Sequence, residues 1–386
     1  MRITLCCKQF VQRGGAETFL VNFARCLLED GHQVKVLSPH IETHLDGIET
    51  ARLDVPRAPR ALRDLALARA SGAALAAEDA DVTFSDQRCW GAQVVRLGGG
   101  VQRAYVRQRD RSYRGLAPFV LNRLHRALSP RERIRIYVED RLYAGEGPRR
   151  AIANSDMVRR QVIAHYPRVR EHVGVVYNGA DTDRFTPRLK DLHRLAVRRE
   201  LGISPGALVL IFVGHDWRRK GLYTVIEALG ILALKPMPRP VFAIVVGRGQ
   251  TRKARAHARR RGVAERLRFV GTDRPDRYYG AADVLTLPSY YDPCANVTFE
   301  ALACGLPVLT SVFNGAYELL TPGRNGFYVN DASDAAQLAG FVEHYLDEGR
   351  LAEGSEAARA LAEERPLSRM YGELLAEVRA AGQARA

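Results

Sequence analysis

Residues 289–310 read SYYDPCANVTFEALACGLPVLT, and this stretch predicts the fold more directly than any other part of the chain. The residues just before it, 282–288, form an apolar run of strand length. Residues 297–304 have the apolar spacing of a helix, and the Gly-Leu-Pro at 305–307 is a helix stop. A buried strand, a loop, a helix and a second apolar run therefore follow one another, which is the pattern of an α/β fold.

Two carboxylates flank the start of this helix. Asp292 lies in the loop, and Glu300 lies within the helix eight positions later. The first N–H groups of a helix have no acceptor inside the helix, so they bind anions well. Carboxylates in turn accept hydrogen bonds from hydroxyl groups. We therefore expect a ligand with hydroxyls and a phosphate to bind here.

Strand-length apolar runs alternate with helical patterns along the chain, and the alternation restarts once. The first set comprises strands at 2–7, 33–37, 151–153 and 173–176, with helices at 16–30 and 156–166. The second set comprises strands at 208–213, 241–246, 267–270, 284–287 and 308–310, with helices at 222–234, 252–261 and 297–304.

The two sets are separated by residues 178–187, NGADTDRFTP, which are rich in turn-forming residues. We interpret this segment as a hinge between two doubly wound α/β domains, residues 1–178 and 188–366. Residues 367–386 are predicted to form a terminal helix, because 367–381 have helical spacing. Ligands of such sheets bind at the carboxyl ends of the strands, which places the site in a cleft between the domains.

The composition indicates a two-domain protein of the cytoplasm. At 386 residues and 46% hydrophobic, the chain is longer than one core organises comfortably. It has no apolar run of membrane-spanning length, and its first residues, MRITLCC, resemble a strand rather than a signal peptide. The six cysteines show no metal-binding spacing, which fits free thiols in a reducing compartment. The oligomeric state stays open.

The formal net charge of +15 predicts an anionic partner. Arginines are dense between residues 102 and 150, and the apolar residues of 119–128 are spaced for one helical face. Because no nucleic-acid-binding motif accompanies them, an anionic membrane surface or a phosphorylated acceptor is favoured over nucleic acid. A solvated arginine-rich face is the alternative interpretation.

Two loops that follow predicted strands carry phosphate-binding features. Gly14 and Gly15 precede the first helix, where they permit close approach of a phosphate, although a plain tight turn would also explain them. Arg219 and Lys220 follow the strand at 208–213. Arginine can bind a phosphate in a fork and lysine acts as a point charge, although a solvated basic loop is the alternative.

Two further glycine-rich turns are less specific. The Gly-Arg-Gly at 247–249 lacks the third glycine and the acidic residue of a dinucleotide fingerprint, so a hydride-transfer enzyme is disfavoured. Three glycines at 98–100 precede Gln102, and they suit either a loop that folds against a ligand or a flexible turn. The sequence contains no Ser-His-Asp order, metal-binding histidine pair or P-loop.

The stretch from Asp292 onward resembles the E-x7-E signature of the retaining nucleotide-sugar glycosyltransferases of family 4. That signature runs Glu-x-Phe-Gly, four residues, then Glu-Ala-Met-Ala-x-Gly-x-Pro-Val. Asp292 stands at its first Glu and Cys294-Ala295 replace Phe-Gly, whereas residues 300–308, EALACGLPV, match closely. The resemblance covers nearly the whole chain and is strongest over 208–329. Within the family, the chain looks most like the lipopolysaccharide-core α-glucosyltransferases.

This resemblance implies the GT-B architecture, in which two Rossmann-like domains face a cleft and the last helix crosses back to the first domain. It also implies metal-independent transfer of a hexose, such as glucose, with retention of configuration. The donor would be a nucleotide diphosphate-sugar, such as a UDP-sugar. The acceptor would be a hydroxyl of the lipopolysaccharide core or a related envelope glycan. No cofactor is implied, and the expected location is the inner face of the cytoplasmic membrane.

The resemblance also implies roles for single residues. Glu300 would bind the ribose hydroxyls, Asp292 the hydroxyls of the sugar, and Arg219 and Lys220 the diphosphate. Gln102 stands where related enzymes often carry a sugar-facing Asp or His. The other residues implied to contact the nucleotide-sugar are Gly14, Gly15, His215, Gly247, Thr272, Cys294, Ala295, Asn296 and Val297.

Two other functions stay open. A nucleotide-sugar 2-epimerase can share this two-domain fold, but it would need several acid/base carboxylates and histidines in the cleft, and these loops are poor in them. A basic nucleic-acid-binding protein would explain the charge of +15. It would leave the two carboxylates and the glycine loops unexplained.

Overall fold

The computed structural model describes residues 1–12, 15–113, 115–144, 147–272 and 275–383. The chain divides into two compact units, Met1–Tyr177 with Ser368–Ala386, and Asn178–Leu367. Each unit is built around one parallel β-sheet with helices between its strands. The predicted fold class, α/β with two Rossmann-like domains, is confirmed.

The first unit contains a seven-stranded sheet. Its strands are β1 (Arg2–Cys6), β2 (Gln33–Ser38), β3 (Ile48–Arg52), β4 (Val82–Ser85), β5 (Val94–Arg96), β6 (Arg150–Ala153) and β7 (Val173–Val175). Its helices are α1 (Gly15–Glu29), α2 (Arg63–Ala77), α3 (Gln102–Arg111), α4 (Leu116–Ala127), α5 (Pro130–Leu142) and α6 (Asp156–His165). The strand order is β3-β2-β1-β4-β5-β6-β7, and each neighbouring pair is parallel.

The second unit contains a six-stranded sheet. Its helices before and between the strands are α7 (Arg188–Glu200), α8 (Leu222–Leu232), α9 (Thr251–Arg260), α10 (Pro275–Ala281) and α11 (Asn296–Ala303), and two more follow, α12 (Ala335–His344) and α13 (Glu348–Glu363). Its strands are β8 (Leu208–Val213), β9 (Val241–Val246), β10 (Leu267–Gly271), β11 (Val284–Thr286), β12 (Val308–Ser311) and β13 (Gly326–Val329). The order is β10-β9-β8-β11-β12-β13, again parallel throughout.

Burial explains which strands could be predicted. β8 reads LVLIFV and all six residues are buried, as expected for a central parallel strand covered on both faces. By contrast, β3 is an edge strand, reads IETAR and is buried only at Ile48. The short strands β4 and β5 lie inside the sheet but have only four and three residues. These three strands were missing from the predicted set, as was the short edge strand β13.

The last helix, α14 (Leu367–Gln383), packs within the first unit from Ser368 onward. Its Tyr371 ring stacks on Phe19 and Phe23 of α1, with ring centroids 5.9 and 6.1 Å apart. Its Glu377 forms an ion pair with Arg150 at the start of β6. The helix therefore joins the core of this unit through both apolar and charged contacts.

A buried ion pair ties α7 to the sheet of the second unit. Arg198 is only 1% exposed, and its Nη2 donates to Oδ2 of Asp283 at 2.8 Å. The same oxygen accepts the backbone N–H of Val209 at the start of β8, also at 2.8 Å. Nε of Arg198 donates to the carbonyl of Ala281. Asp283 therefore holds a buried cation and a sheet strand together.

Replacing Asp283 by alanine should lower the free energy of unfolding by about 3–5 kcal/mol, because Arg198 would then lose its carboxylate partner in the interior. Urea unfolding measures this change. The matched control is Glu200→Ala, which removes the carboxylate of the more exposed ion pair with Arg277 and should cost about 1 kcal/mol or less. Equal losses in the two variants would contradict the assignment.

Candidate functional site

Most predicted site residues of the second unit lie in loops that follow strands β8, β9, β10 and β11. Asn296, Val297 and Glu300 lie in helix α11, which comes after the loop that follows β11. These strands are consecutive neighbours in the order β10-β9-β8-β11. Because the sheet is parallel, their carboxyl ends share one edge. The topology therefore brings together segments that are far apart in the sequence.

The loops after β8 and β9 each contain a backbone position that only glycine satisfies. Gly221 has a φ of +86°, and a Cβ there would run into the carbonyl of Pro288, which follows β11. Gly247, after β9, has a φ of +127°, and a Cβ there would run into the carbonyl of Gly214. Both positions lie in the left-handed region and leave no space for a side chain. The three loops can therefore approach to backbone contact.

Arg219 and Lys220 converge on Asp292. Nζ of Lys220 lies 2.8 Å from Oδ2 of Asp292, and Nη1 of Arg219 lies 3.7 Å from the same oxygen. The three side chains are 18%, 13% and 12% exposed for Arg219, Lys220 and Asp292. Nη1 of Arg219 also donates to the carbonyl of Tyr291 at 2.6 Å. Nε of Arg219 also lies 3.1 Å from Oδ2 of Asp216. The two cations therefore form, with Asp292 and the more exposed Asp216, a cluster in which the formal charges cancel.

Glu300 lies in α11 in a different environment. The hydroxyl of Tyr279 in α10 donates to its Oε2 at 2.7 Å. Burial raises the pKa of Glu300 above its ordinary value, and the hydrogen bond from Tyr279 acts in the opposite direction. The Tyr279 ring is fully buried and packs edge-on against Phe185, with centroids 5.7 Å apart. Tyr279 therefore orients one carboxylate oxygen and leaves the other for a ligand.

The loop from Asp292 to Asn296 is held from behind by Asn314. Its Oδ1 accepts the N–H of Ala295 at 3.1 Å, and its Nδ2 donates to the hydroxyls of Thr298 and Thr310. The backbone of Asp292 pairs with this segment as well, because its N–H donates to the carbonyl of Phe313 at 2.8 Å. Asn314 is fully buried. The start of α11, where Asn296 and Val297 lie, is therefore rigidly placed.

A second amide fixes Cys294. Nδ2 of Asn178 donates to the carbonyl of Cys294 at 2.8 Å and to Oδ1 of Asn296 at 2.5 Å. The thiol of Cys294 is itself buried. The Cys294-Ala295 pair thus keeps its backbone in place although it departs from the family's Phe-Gly.

His215 and Thr272 border the same edge. Nδ1 of His215 accepts the N–H of Arg248 at 3.1 Å, which links the loops after β8 and β9. Gly247 donates to the carbonyl of Gly271 at 2.5 Å, and Thr272 follows directly after β10. Among the described residues, no three His, Cys, Asp or Glu side chains are grouped as a metal site would require.

The other predicted site residues belong to the first unit. Gly15 begins α1, and Gly14 lies outside the described residues. Gln102 is the first residue of α3 and is only 5% exposed. Its Nε2 donates to Glu132 at 2.7 Å, and its N–H donates to Glu139. Its contact with a sugar stays a prediction.

Comparisons with known families agree with this architecture. The model of glycosyl transferases group 1 matches residues 207–348, and the model of glycosyltransferase family 4 matches residues 13–184. Both models describe glycosyltransferases, and they match different halves of the chain. The models do not name an acceptor, so they do not test the more specific resemblance to lipopolysaccharide-core enzymes.

The proteins most similar in sequence that we describe are named inositol phosphate glycosyltransferases, not lipopolysaccharide-core enzymes. A D-inositol 3-phosphate glycosyltransferase 2 of Catenulispora acidiphila is 33% identical over 208 residues, 50% of this chain and 48% of the relative. A D-inositol 3-phosphate glycosyltransferase of Geodermatophilus obscurus is 32% identical over 228 residues, 56% of this chain and 49% of that one. This chain thus matches about half the length of these relatives.

Solved structures share the fold over almost the whole chain. WaaG, a glycosyltransferase involved in lipopolysaccharide biosynthesis, has a TM-score of 0.77 at 22% identity and covers 97% of this chain and 99% of its own. Anabaena HepE in complex with UDP and glucose has a TM-score of 0.69 at 20% identity, with 97% and 98% covered. At these identities the likeness shows the GT-B fold alone.

Sequence reasoning missed Tyr279 and the pairing of Lys220 with Asp292. Tyr279 stands 21 positions before Glu300, on a different helix, and no local pattern connects the two. Asn178 was assigned to the hinge, so its bonds to the Cys294 loop were also unforeseen. Each of these contacts joins segments that only the sheet order brings together.

Tyr279→Phe should raise the pKa of Glu300 further, because the variant loses the hydrogen bond that stabilises the charged carboxylate. A ¹³C NMR titration of labelled glutamate carboxyls, assigned with a Glu300→Gln variant, measures this pKa. The neighbouring Tyr278→Phe is the matched control and should leave it unchanged. An identical Glu300 titration in the Tyr279→Phe variant and the parent protein would refute the role of the hydroxyl.

Proposed function

We propose that this protein is a retaining glycosyltransferase that uses a nucleotide diphosphate-sugar and needs no divalent metal. The observation that carries the proposal is the convergence of Arg219, Lys220, Asp292 and Glu300 at the carboxyl edge of one parallel sheet. Two cations suit a diphosphate, and two carboxylates suit the hydroxyls on either side of it. UDP-glucose is the donor we propose.

The cluster of Arg219, Lys220 and Asp292 suggests how the donor is received. With no ligand, the Lys220 ammonium is neutralised by Asp292. A diphosphate carries more negative charge than one carboxylate, so it would draw Lys220 and Arg219 toward its own oxygens. Asp292 would then be released to accept hydroxyls of the sugar. Glu300, with one oxygen oriented by Tyr279, would accept the hydroxyls of the ribose.

The proposed reaction breaks the bond between C1 of the sugar and the diphosphate oxygen. The acceptor hydroxyl forms the new bond to C1 on the same face, and its proton passes to the departing β-phosphate. Arg219, Lys220 and the N–H groups at the start of α11 would stabilise the negative charge that develops on the diphosphate. These groups would supply the positive charge that other transferases obtain from a metal ion.

For the acceptor, we propose a hydroxyl of an envelope glycan or glycolipid. The first candidate is a lipopolysaccharide, since WaaG, which shares this fold, is involved in lipopolysaccharide biosynthesis. A second candidate is a phosphorylated inositol, which is favoured by the names of relatives about one third identical to this chain. Transfer from UDP-glucose to each acceptor, assayed in parallel with and without EDTA, would test both the chemistry and the metal independence. Loss of activity in EDTA that manganese restores would overturn the metal-free proposal.

We also propose that the first unit docks on an anionic membrane. Helix α4 exposes Leu121 and Leu124, at 66% and 56%, and Leu128, just after the helix, at 78%. The buried Arg126 anchors the helix from the opposite side by donating to the carbonyl of Val106 at 2.7 Å. No helix among the described residues has the length and apolarity to cross a bilayer. An apolar face within an arginine-rich segment is typical of a helix that lies at a membrane surface.

Arg219→Ala and Lys220→Ala should each weaken UDP binding about ten- to a hundredfold, because each removes a charge-assisted hydrogen bond to the diphosphate. Isothermal titration calorimetry measures the affinity, and thermal unfolding checks that the variants are folded. The matched control is Arg218→Ala, since the Arg218 guanidinium instead lies over the Tyr223 ring, 5.3 Å from its centroid. Unchanged UDP affinity in both test variants would end the phosphate assignment.

A Leu121→Ser/Leu124→Ser double variant should bind anionic vesicles about tenfold more weakly or worse, because two leucines would no longer be buried in the bilayer. Vesicle sedimentation at low and high salt measures binding, which should fall with salt in the parent protein. Leu192→Ser/Leu195→Ser is the matched control, since those leucines of α7 are equally exposed, at 68% and 69%. Similar losses of vesicle binding in both double variants would mean that the exposed face of α4 is an ordinary solvated surface.

A further inference from the structure

A groove of about 330 Å³ runs along the outer side of β10, the edge strand of the second unit. Its walls come from α9, from β10 and from the 3-10 turn Ala264–Arg266 that precedes β10. The turn lies at the amino end of the strand, whereas the loops of the candidate site follow the carboxyl ends. None of the residues assigned above to the donor lines this groove.

Two cations of α9 line one side. Arg255 and Arg259 are four positions apart, so they project from the same face of the helix. Like charges at this spacing destabilise a helix. Within the described part of the chain, neither has a carboxylate within ion-pair distance. Arg261, just beyond the helix, differs, because its Nε lies 2.7 Å from Glu227.

A third cation, Arg268, lies in the strand wall, where its guanidinium rests over the Phe242 ring, 5.2 Å from the centroid, and donates only to backbone carbonyls. Its guanidinium donates to the carbonyls of Leu201, Glu265 at 2.7 Å and Gly202 at 3.2 Å. Carbonyl oxygens fix the position of the group without cancelling its charge. Glu265 is the one carboxylate among the lining residues, so the groove is net positive.

The remaining wall is apolar. The Arg255 guanidinium lies over the ring of Phe269, 5.2 Å from its centroid, and Leu267 is buried beneath. A guanidinium that rests on an aromatic face keeps its N–H groups directed sideways, where a planar or tetrahedral anion can accept them. A groove of this volume is at the small end of ligand pockets.

We propose that this groove binds a small phosphate monoester. Its phosphate lies between Arg255 and Arg259, and its carbon skeleton lies toward Phe269. Arginine is the residue that best matches the oxygens of a phosphate, and two of them one helical turn apart can bind one dianion together. The size of the groove matches a phosphorylated small molecule rather than a polymer. The residues that line the groove differ from those assigned to the donor, although Phe269 packs against Trp217 of the loop after β8, with ring centroids 5.4 Å apart.

Equilibrium dialysis at low salt tests the proposal, with glucose 6-phosphate and inorganic phosphate as ligands. The full-length chain carries Lys220→Ala throughout, which weakens phosphate binding at the proposed donor site. In that background, Arg255→Gln/Arg259→Gln should weaken binding tenfold or more. The matched control is Arg252→Gln/Lys253→Gln, which removes the same charge from exposed positions of α9 that do not line the groove. It should change the affinity by less than about twofold.

Three results would overturn the proposal. Equal losses of affinity in the two double variants would mean that the ligand is attracted only by the net positive charge of α9. Absence of binding to the Lys220→Ala protein at millimolar phosphate monoester would mean that there is no site. Binding to vesicles that contain phosphatidic acid, lost in Arg255→Gln/Arg259→Gln but without binding of soluble monoesters, would assign the groove to a lipid headgroup instead of a small molecule.

Discussion

The candidate site depends on how closely three backbone loops approach one another. Gly221 and Gly247 lie where a Cβ would meet a carbonyl of a neighbouring loop, and both have positive φ. Any other residue at either position would push the loops after β8, β9 and β11 apart. The cations of one loop could then no longer reach the carboxylate of another. The charged cluster is therefore a consequence of a steric constraint in the backbone.

Within that framework, the two carboxylates have different environments. Asp292 faces two cations, and its loop is fixed by Asn314 and Asn178. Glu300 is buried, its pKa is raised for that reason, and its nearest partner is the neutral hydroxyl of Tyr279. A carboxylate between cations can exchange one anionic partner for another, whereas a carboxylate beside a hydroxyl can add further hydroxyl ligands. This difference is why we assign them to different parts of one donor.

The arginines that give the chain its positive charge have different roles. Some arginines are structural, as Arg198 is with Asp283. Others, such as Arg255 and Arg259, form no ion pair with a carboxylate among the described residues, although Glu265 lines the same groove. The sequence predicted an anionic partner from net charge alone. Net charge does not distinguish a buried structural cation from one that awaits a ligand, because that depends on where carboxylates lie in three dimensions.

Much of the fold follows from local sequence. The strands β8 and β9 were predicted with the bounds found, because they are continuous apolar runs covered on both faces. The edge strand β3 was missed, since an exposed edge tolerates charged residues such as Glu49 and so loses the apolar signal. The three glycines before Gln102 gave no sign that a helix begins there, because its burial against α5 depends on contacts between distant segments.

The sequence by itself determined that this chain has two α/β domains and that basic and acidic residues follow particular strands. Those features are local, because they depend on hydrophobic period, turn residues and position relative to a strand end. Only the tertiary structure decided that Lys220 meets Asp292, 72 positions away, and that Tyr279 meets Glu300. The strand order places β8 beside β11, which neither strand encodes alone. Which residues meet across neighbouring strands therefore depends on how the whole sheet packs, and not on the sequence of either strand.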